Sequence, residues 1–235
     1  DGDVSVKYAG DDTKASDSAG SSTGGTSGSS PSACNDDAYN HEGHVESHVH
    51  QWYIKTSSIP TDLNQSTAVE RIRDGMRNIT WANNDCGRPD YVGARADYQG
   101  STSRSAEIDS NANCDSYSSR DGYNVFDFGE LPWSYVGYAC WWYVGAELTE
   151  SDVSLNSNRA WSNNPGTECE TYGKFDIESV ATHERGHTFG MGHVSETYHG
   201  NLTMSTEVDE CDTRQRTLGL GDLLGLEVLY YSATG

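Results

Sequence analysis

Apolar and polar positions follow a helical period in one early segment of the chain, residues 66–81. Its apolar residues recur at spacings of three and four, which predicts an amphipathic helix. These residues are Val69, Ile72, Met76 and Ile79. The preceding segment, 50–59, has the composition of a strand. We therefore expect a strand followed by a helix near the start of the folded part.

Three later segments are rich in aromatic residues and valine and are bounded by Gly, Pro and Asn. They are 122–131, 135–148 and 151–156. β-branched and aromatic side chains favour strands, so these segments predict most of a sheet.

Two helices are predicted in the last third of the chain. The segment 176–190 opens with Asp176 as a candidate N-cap and closes at Gly190, a residue typical of helix ends. The segment 221–231 has Asp222 as its candidate N-cap and carries apolar residues on one side.

The beginning of the chain has a different composition. Residues 11–33 are almost all Gly, Ser, Thr, Ala and Asp. Such a segment lacks the large apolar residues that would offset the entropy of ordering it. We predict a flexible Gly/Ser-rich tail or linker over residues 1–33 and one folded domain over residues 34–235.

The charge of the chain excludes some partners. A formal net charge of -21 makes the surface strongly acidic, which repels phosphate backbones and argues against nucleic acid as a partner. No apolar run reaches the roughly 18 residues that a membrane span needs. The surplus carboxylates suit structural calcium or simply a solvated surface, and composition leaves both open.

The six cysteines are widely spread and form no CxxC pair. An even number in this arrangement predicts three disulfides and an oxidising compartment, hence a secreted, extracellular protein. Many pairings are possible. Pairing neighbours along the sequence suggests Cys86–Cys114 and Cys169–Cys211, which leaves Cys34–Cys140.

The most specific pattern is HERGHTFGMGH at residues 183–193. Residues four apart share a helix face, so His183 and His187 can direct ring nitrogens at one ion. Gly190 permits a sharp turn that brings His193 to the same ion. Three neutral imidazoles that leave a fourth position for water are typical of catalytic rather than structural zinc.

Glu184 follows the first of these histidines and is the candidate general base for a water molecule that zinc activates. A bare HExxH also occurs in unrelated helices, where its histidines are ordinary surface or core residues. The longer pattern fixes five positions and favours the metal site. It also requires a downstream methionine turn, for which Met204 is the candidate and a core methionine is the alternative.

With these residues in view, the chain resembles a metzincin zinc peptidase, in particular a secreted, bacterial, matrixin-like one. FDIESVATHERGHTFGMGHV is similar to the matrixin active-site helix, and LGLGDLLGLEVLYY to the closing helix. ELTESDVSLNS resembles the edge strand along which matrixins bind substrate. The resemblance covers residues 50–231. It implies an α+β fold with a twisted, mixed five-stranded sheet, packed helices, an active-site helix carrying HExxH and a C-terminal helix.

The resemblance also implies a function for the domain 34–235. It would be the catalytic domain of a zinc-dependent endopeptidase that binds protein or peptide substrates in extended form. One catalytic Zn²⁺ would be bound by His183, His187 and His193, above a turn at Met204. No histidine lies between residues 51 and 182, so we expect no second zinc there. Structural Ca²⁺ and a monomeric state are further expectations.

Three alternatives stay open. CGRPD at 86–90 resembles the cysteine switch of matrixin zymogens. The alternative is that Cys86 forms a disulfide within a loop. Four histidines at 41–50 suit either a second metal site or a solvated lead-in segment; they are His41, His44, His48 and His50. A catalytically narrow or inactive zinc-binding surface or adhesion module is the alternative function, and Glu184 argues against it because such a site needs no base.

Overall fold

A computed structural model describes residues 6–15, 31–165, 169 and 173–230, and the statements below concern these residues. The described strands are β1 Val6–Ala15, β2 Asn40–His41, β3 Val49–Ile54, β4 Arg95–Ser101, β5 Asn124–Gly129, β6 Tyr135–Val144, β7 Glu147–Asn156, β8 Trp161–Ser162, β9 Phe175–Asp176, β10 Met191–Gly192 and β11 Glu207–Val208. The described α-helices are α1 Gln65–Thr80, α2 Ile177–Thr188, α3 Glu196–His199 and α4 Leu220–Tyr230.

The main sheet has the order β11-β1-β6-β7-β5-β3-β4. Strands β4, β3, β5 and β7 run parallel to one another, and β6 runs antiparallel to β7. These five strands form the mixed five-stranded sheet that the sequence predicts, so the α+β fold class is confirmed. Strands β1 and β11 extend this sheet beyond β6.

Strand β1 lies within the segment for which the sequence predicts a flexible tail. Its backbone pairs antiparallel with β6 from Val6 opposite Val144 to Lys14 opposite Tyr135. The structure therefore differs from the prediction over residues 6–15, because the composition of residues 11–33 says nothing about a pairing partner far along the chain. Residues 1–5 and 16–30 lie outside the described residues, and the domain boundary stays a prediction.

The edge strand was predicted at ELTESDVSLNS, and this prediction is wrong. Strand β7, which contains most of that segment, lies inside the sheet between β5 and β6. The polar residues of β7 suggest an exposed edge. Many of them are nevertheless buried, and their burial is tolerated because they form hydrogen bonds with neighbouring backbone. The Asp152 carboxylate, for example, accepts hydrogen bonds from the backbone N–H groups of Val125 and Glu107, both at 2.7 Å. Within the five-stranded part the outer strands are β6 and β4, and β6 pairs on its outer side with β1.

Helices α1 and α2 pack closely on one face of the sheet. A Cβ atom at Gly75 would lie 2.7 Å from the Cβ of Ala181, so the crossing requires glycine. Polar contacts flank this point: Asn78 Nδ2 donates to Thr182 Oγ1 at 3.1 Å, and Arg71 Nη1 donates to Glu178 Oε2 at 2.7 Å. The amphipathic helix predicted at 66–81 is confirmed, and it supports the helix that carries the histidine motif.

The two predicted N-caps have different outcomes. Asp176 caps α2, since its Oδ2 accepts the backbone N–H of Ser179 at 2.9 Å, and it also forms a two-pronged ion pair with Arg216. Asp222 is not an N-cap, because α4 already begins at Leu220. Its buried carboxylate is instead bound to the loop before α4, as described below.

All six cysteines form disulfides, as predicted, but only one predicted pair is correct. Cys169 is bonded to Cys211. The pairs Cys86–Cys114 and Cys34–Cys140 are wrong. The structure bonds Cys34 to Cys86 and Cys114 to Cys140, because spatial neighbours are set by the fold rather than by order along the chain. The bond at Cys86 also removes the thiol that a cysteine switch needs.

None of the helices in the described part of the chain has both the length and the apolar character that a membrane span requires.

Replacing Asp176 with alanine should destabilise the fold. The change removes the cap of α2 and leaves the partly buried Arg216 without its bidentate partner, so we expect a loss of about 2–4 kcal/mol in the free energy of unfolding. Urea denaturation followed by circular dichroism would measure it. Asp209→Ala, at an exposed position, is the matched control and should change stability by less than about 0.5 kcal/mol. Equal effects of the two changes would contradict the assigned role of Asp176.

Candidate metal centre

Three histidines of the predicted motif converge on one point. The Nε2 atom of His183 lies 3.1 Å from that of His187 and 3.0 Å from that of His193, and the last two are 3.2 Å apart. Zinc–nitrogen bonds of about 2.0–2.1 Å in a tetrahedral site place nitrogens about 3.3 Å apart. The triangle thus has the size of three ligands of a single zinc ion.

The second ring nitrogens of the two helical histidines are held by backbone carbonyls. His183 Nδ1 donates to the carbonyl oxygen of Thr203 at 2.7 Å, and His187 Nδ1 donates to that of Met191 at 2.9 Å. With the proton on Nδ1, each Nε2 presents a lone pair to the common point. The ring of Trp141 stacks on that of His187, with centroids 5.7 Å apart. Both imidazoles are therefore fixed in tautomer and orientation.

Gly190 makes the turn that returns His193 to the site. Helix α2 ends at Thr188, and Gly190 has a φ of 86°, as the sequence predicts. A Cβ atom there would lie 2.2 Å from the carbonyl oxygen of His44, so both the dihedral angle and the close packing require glycine. The backbone N–H of Val194 then donates to the Met204 carbonyl at 3.0 Å.

Glu184 is fully buried and faces the start of strand β6. A Cβ atom at Gly137 would lie 2.5 Å from Glu184 Oε1 and 2.9 Å from the Val180 side chain. The absence of a side chain at this point of β6 therefore leaves room for the carboxylate. The sequence analysis did not identify Gly137, since a glycine inside a strand reveals a close contact only when the partner is known.

Met204 lies beneath the helix in a tightly fitted position. Its side chain is buried, and a Cβ atom at Gly186 would lie 2.3 Å from its sulfur. The turn is held by the Asp222 carboxylate, which accepts the backbone N–H groups of Thr203, Met204 and Gly219 at 2.8–3.2 Å. Burial raises the pKa of Asp222 to about 6 despite these bonds. Asp222 therefore fixes the turn at Met204 and is not the N-cap of α4.

The four histidines of segment 41–50 have different surroundings. His44 is buried between Trp141 and Tyr143, and burial lowers its pKa to about 4. His50 is also buried and donates to Glu46 at 3.1 Å. His48, by contrast, is exposed and lies within metal-ligand range of Glu46 and Glu147. His44 and His50 therefore pack in the interior, whereas His48 with Glu46 and Glu147 keeps the second metal site as a prediction.

A second group of potential ligands consists of carboxylates. Glu107, Glu150 and Asp152 bring one oxygen each to within 4.8 Å of the others. Burial raises the pKa of each, that of Glu107 to about 8. Simultaneous ionisation of all three carboxyl groups is therefore unfavourable unless a nearby cation offsets their charge. Oxygen ligands of this kind suit calcium rather than zinc.

Arg185, inside the motif itself, is a residue that sequence analysis did not single out. It is fully buried, with its guanidinium 4.7 Å from the ring centroid of Trp52 and 5.1 Å from that of Phe126. Burial lowers its pKa to about 9. Its place in the core was not predictable because an arginine between Glu184 and Gly186 is ordinarily solvated.

Comparison with known proteins agrees with this geometry. The sequence model of the matrixin peptidase family matches residues 135–231, which include β6, β7, the active-site helix and all three histidines. A search of curated proteins finds no match. The predicted resemblance to matrixins is thus confirmed, and the histidine triad fits the zinc site of an HExxH metallopeptidase.

Replacing Gly186 with alanine should disturb the packing of helix α2 on Met204 beneath the metal centre. Alanine favours a helix over glycine by about 1 kcal/mol, but here the new methyl group overlaps the Met204 sulfur, so we expect a net loss of about 1–3 kcal/mol in the free energy of unfolding. Urea denaturation of Gly186→Ala, Met204→Ala and the double variant would give the coupling energy. Strictly additive losses of stability in the double variant would show that residue 186 and Met204 do not interact.

Proposed function

We propose that this protein is a secreted zinc-dependent endopeptidase. The observation that carries the proposal is the convergence of the three Nε2 atoms, with two of the rings held by carbonyls, beside a buried glutamate on the same helix. The family match at residues 135–231 supports a metallopeptidase. Three disulfides support an oxidising, extracellular location.

In this proposal His183, His187 and His193 hold one catalytic zinc. When bound, zinc supplies a Lewis acid that polarises the scissile carbonyl and lowers the pKa of water to about 7. Glu184 removes a proton from the attacking water through its carboxylate and passes it to the departing amine.

The protein environment positions these groups. The carbonyls of Thr203 and Met191 keep the first two histidines in the tautomer that binds metal. Met204 forms an apolar floor under the centre, and Asp222 fixes the turn that carries it. The substrate is a polypeptide in extended form that adds as a strand to the outer edge of β6 beside Glu184, the edge with which β1 pairs in this structure.

Calcium stays a prediction. Its best-supported place is the carboxylate group of Glu107, Glu150 and Asp152, in which Glu150 also pairs with Arg120 at 3.4 Å. If Ca²⁺ binds there, millimolar CaCl₂ will raise the melting temperature of the wild type but not that of Glu150→Gln, measured by differential scanning fluorimetry at constant ionic strength. An equal response of both proteins would remove calcium from this group.

Replacing Glu184 with glutamine should abolish hydrolysis and leave zinc binding intact. Glutamine keeps the size of the side chain but cannot accept the proton, so we expect kcat/KM to fall by about 10²–10⁴-fold. The measurement combines hydrolysis of a quenched fluorescent peptide with zinc content by mass spectrometry. For the wild type, a chelator should stop cleavage and added Zn²⁺ should restore it.

Glu130→Gln is the matched control for this variant, because Glu130 is exposed, and it should keep wild-type activity. Retained activity in Glu184→Gln would refute Glu184 as the base. Loss of zinc together with activity would assign it a structural role instead. One bound zinc in the wild type without cleavage of any peptide would favour the zinc-binding module over the peptidase.

A further inference from the structure

One histidine and two glutamates form a compact group at the turn between β6 and β7. The Nδ1 atom of His48 lies 3.0 Å from Glu147 Oε1 and 3.9 Å from Glu46 Oε1. One ligand atom from each of the three residues falls within 4.8 Å of the others. Ligands of a tetrahedral zinc ion are about 3.3 Å apart. The three side chains therefore need only small shifts to reach one cation, and none of them belongs to the candidate metal centre.

Both carboxylates of this group are already oriented by hydrogen bonds. Glu46 Oε2 accepts from Nδ1 of the buried His50 at 3.1 Å, and Glu46 Oε1 accepts the backbone N–H of His48 at 3.0 Å. Glu147 Oε1 accepts both the backbone N–H of Ser47 at 3.2 Å and its hydroxyl at 2.7 Å. Carboxylates that bind metals in proteins are usually held in this way by further hydrogen bonds. The arrangement thus has the supporting contacts of a metal site.

The two chain segments that carry the ligands are also joined through their backbones. The N–H of Val45 donates to the carbonyl of Ala146 at 2.8 Å, and the carbonyl of Val45 accepts the N–H of Leu148 at 2.8 Å. The next N–H, that of Glu46, donates to the Tyr230 hydroxyl at 3.1 Å. The ligands are therefore brought together by the fold itself, without help from a cation.

The charges of the group favour a cation of a particular kind. In the described part of the chain, the ion pairs of Glu46 and Glu147 are with histidines alone. His48 is 79% exposed, so its ring is accessible from solvent, and an exposed pair of this kind contributes little to stability. Calcium and magnesium prefer oxygen ligands only, whereas an imidazole together with carboxylates suits zinc and similar transition metals.

We propose that Glu46, His48 and Glu147 form a second, non-catalytic site for Zn²⁺ or a similar divalent transition-metal cation. The cation takes the place of the proton that His48 Nδ1 now donates to Glu147, and the neutral ring carries its proton on Nε2 instead. The bound cation links segment 41–50 to the turn between β6 and β7. This inference does not rest on the proposed function, because the site shares no residue with the candidate metal centre.

The linked segment packs behind the candidate metal centre. His44, two residues before Glu46, lies between the rings of Trp141 and Tyr143. Trp141 in turn stacks on His187. A cation that holds segment 41–50 in place therefore also supports the aromatic layer against which a ligand of the first site is packed.

The zinc content of the full-length protein tests this site. Wild type, His48→Ala, Glu147→Gln and the control Glu130→Gln, at an exposed position, are stripped with a chelator, reloaded with Zn²⁺ and analysed by mass spectrometry. We expect His48→Ala and Glu147→Gln each to hold one zinc fewer than wild type and the control. Equal zinc content in all four proteins would overturn the site. One zinc in wild type and none in His48→Ala would uphold it and refute the zinc centre of the proposed peptidase.

Ser47→Ala is a second variant that keeps all three ligands. It removes the hydroxyl that orients Glu147, so we expect the affinity for the second zinc to fall about ten-fold or more while the first zinc is bound as in wild type. Competition with a chromophoric zinc chelator measures both affinities. A second zinc bound as tightly in Ser47→Ala as in wild type would contradict the assignment of the site to this hydrogen-bonded group.

Discussion

The structure is organised around a helix that is buried along its whole length. Every residue of α2, from Ile177 to Thr188, is buried, including a glutamate and two histidines of the metal centre. Burying so many polar groups is costly unless each is hydrogen-bonded, paired or bound to a metal. The sheet covers one side of α2, α1 another, and the turn at Met204 lies beneath. The surrounding elements bind most of these polar side chains through hydrogen bonds, while the Arg185 guanidinium lies against the rings of Trp52 and Phe126.

The metal centre therefore depends on long-range support. Carbonyls from residues beyond the end of the helix hold the two helical histidines, and one of these carbonyls belongs to the turn that Asp222 fixes through three backbone N–H groups. His44 packs against Trp141, which in turn stacks on His187. A change far from the ligands in sequence can thus alter their geometry, because the second layer of contacts is drawn from several segments.

Local patterns made part of this structure predictable. The period of apolar residues placed α1 within one residue at each end, and the spacing of His183, His187 and His193 identified the triad before any coordinates. The disulfide of Cys34 with Cys86, the interior position of β7 and the role of Asp222 were not predictable. Each depends on which distant segments meet, and a polar strand whose side chains bind buried backbone has the composition of an exposed one. The spacing of apolar residues indicates which face of an element is buried, but it does not indicate which other element covers that face.

The edge of β6 faces two conflicting requirements. A peptidase that adds its substrate as a strand needs this edge unpaired, yet an unpaired edge rich in aromatic residues, as β6 is, invites association with other chains. Sheets usually resolve the conflict by charges, prolines or bulges, which would also weaken substrate binding. In this structure β1 pairs with the edge along its length and so covers the backbone groups of β6 without changing them. The pairing of Thr13 with Gly137 brings this cover to the level of Glu184, so any other strand that adds to β6 there must take the place of β1.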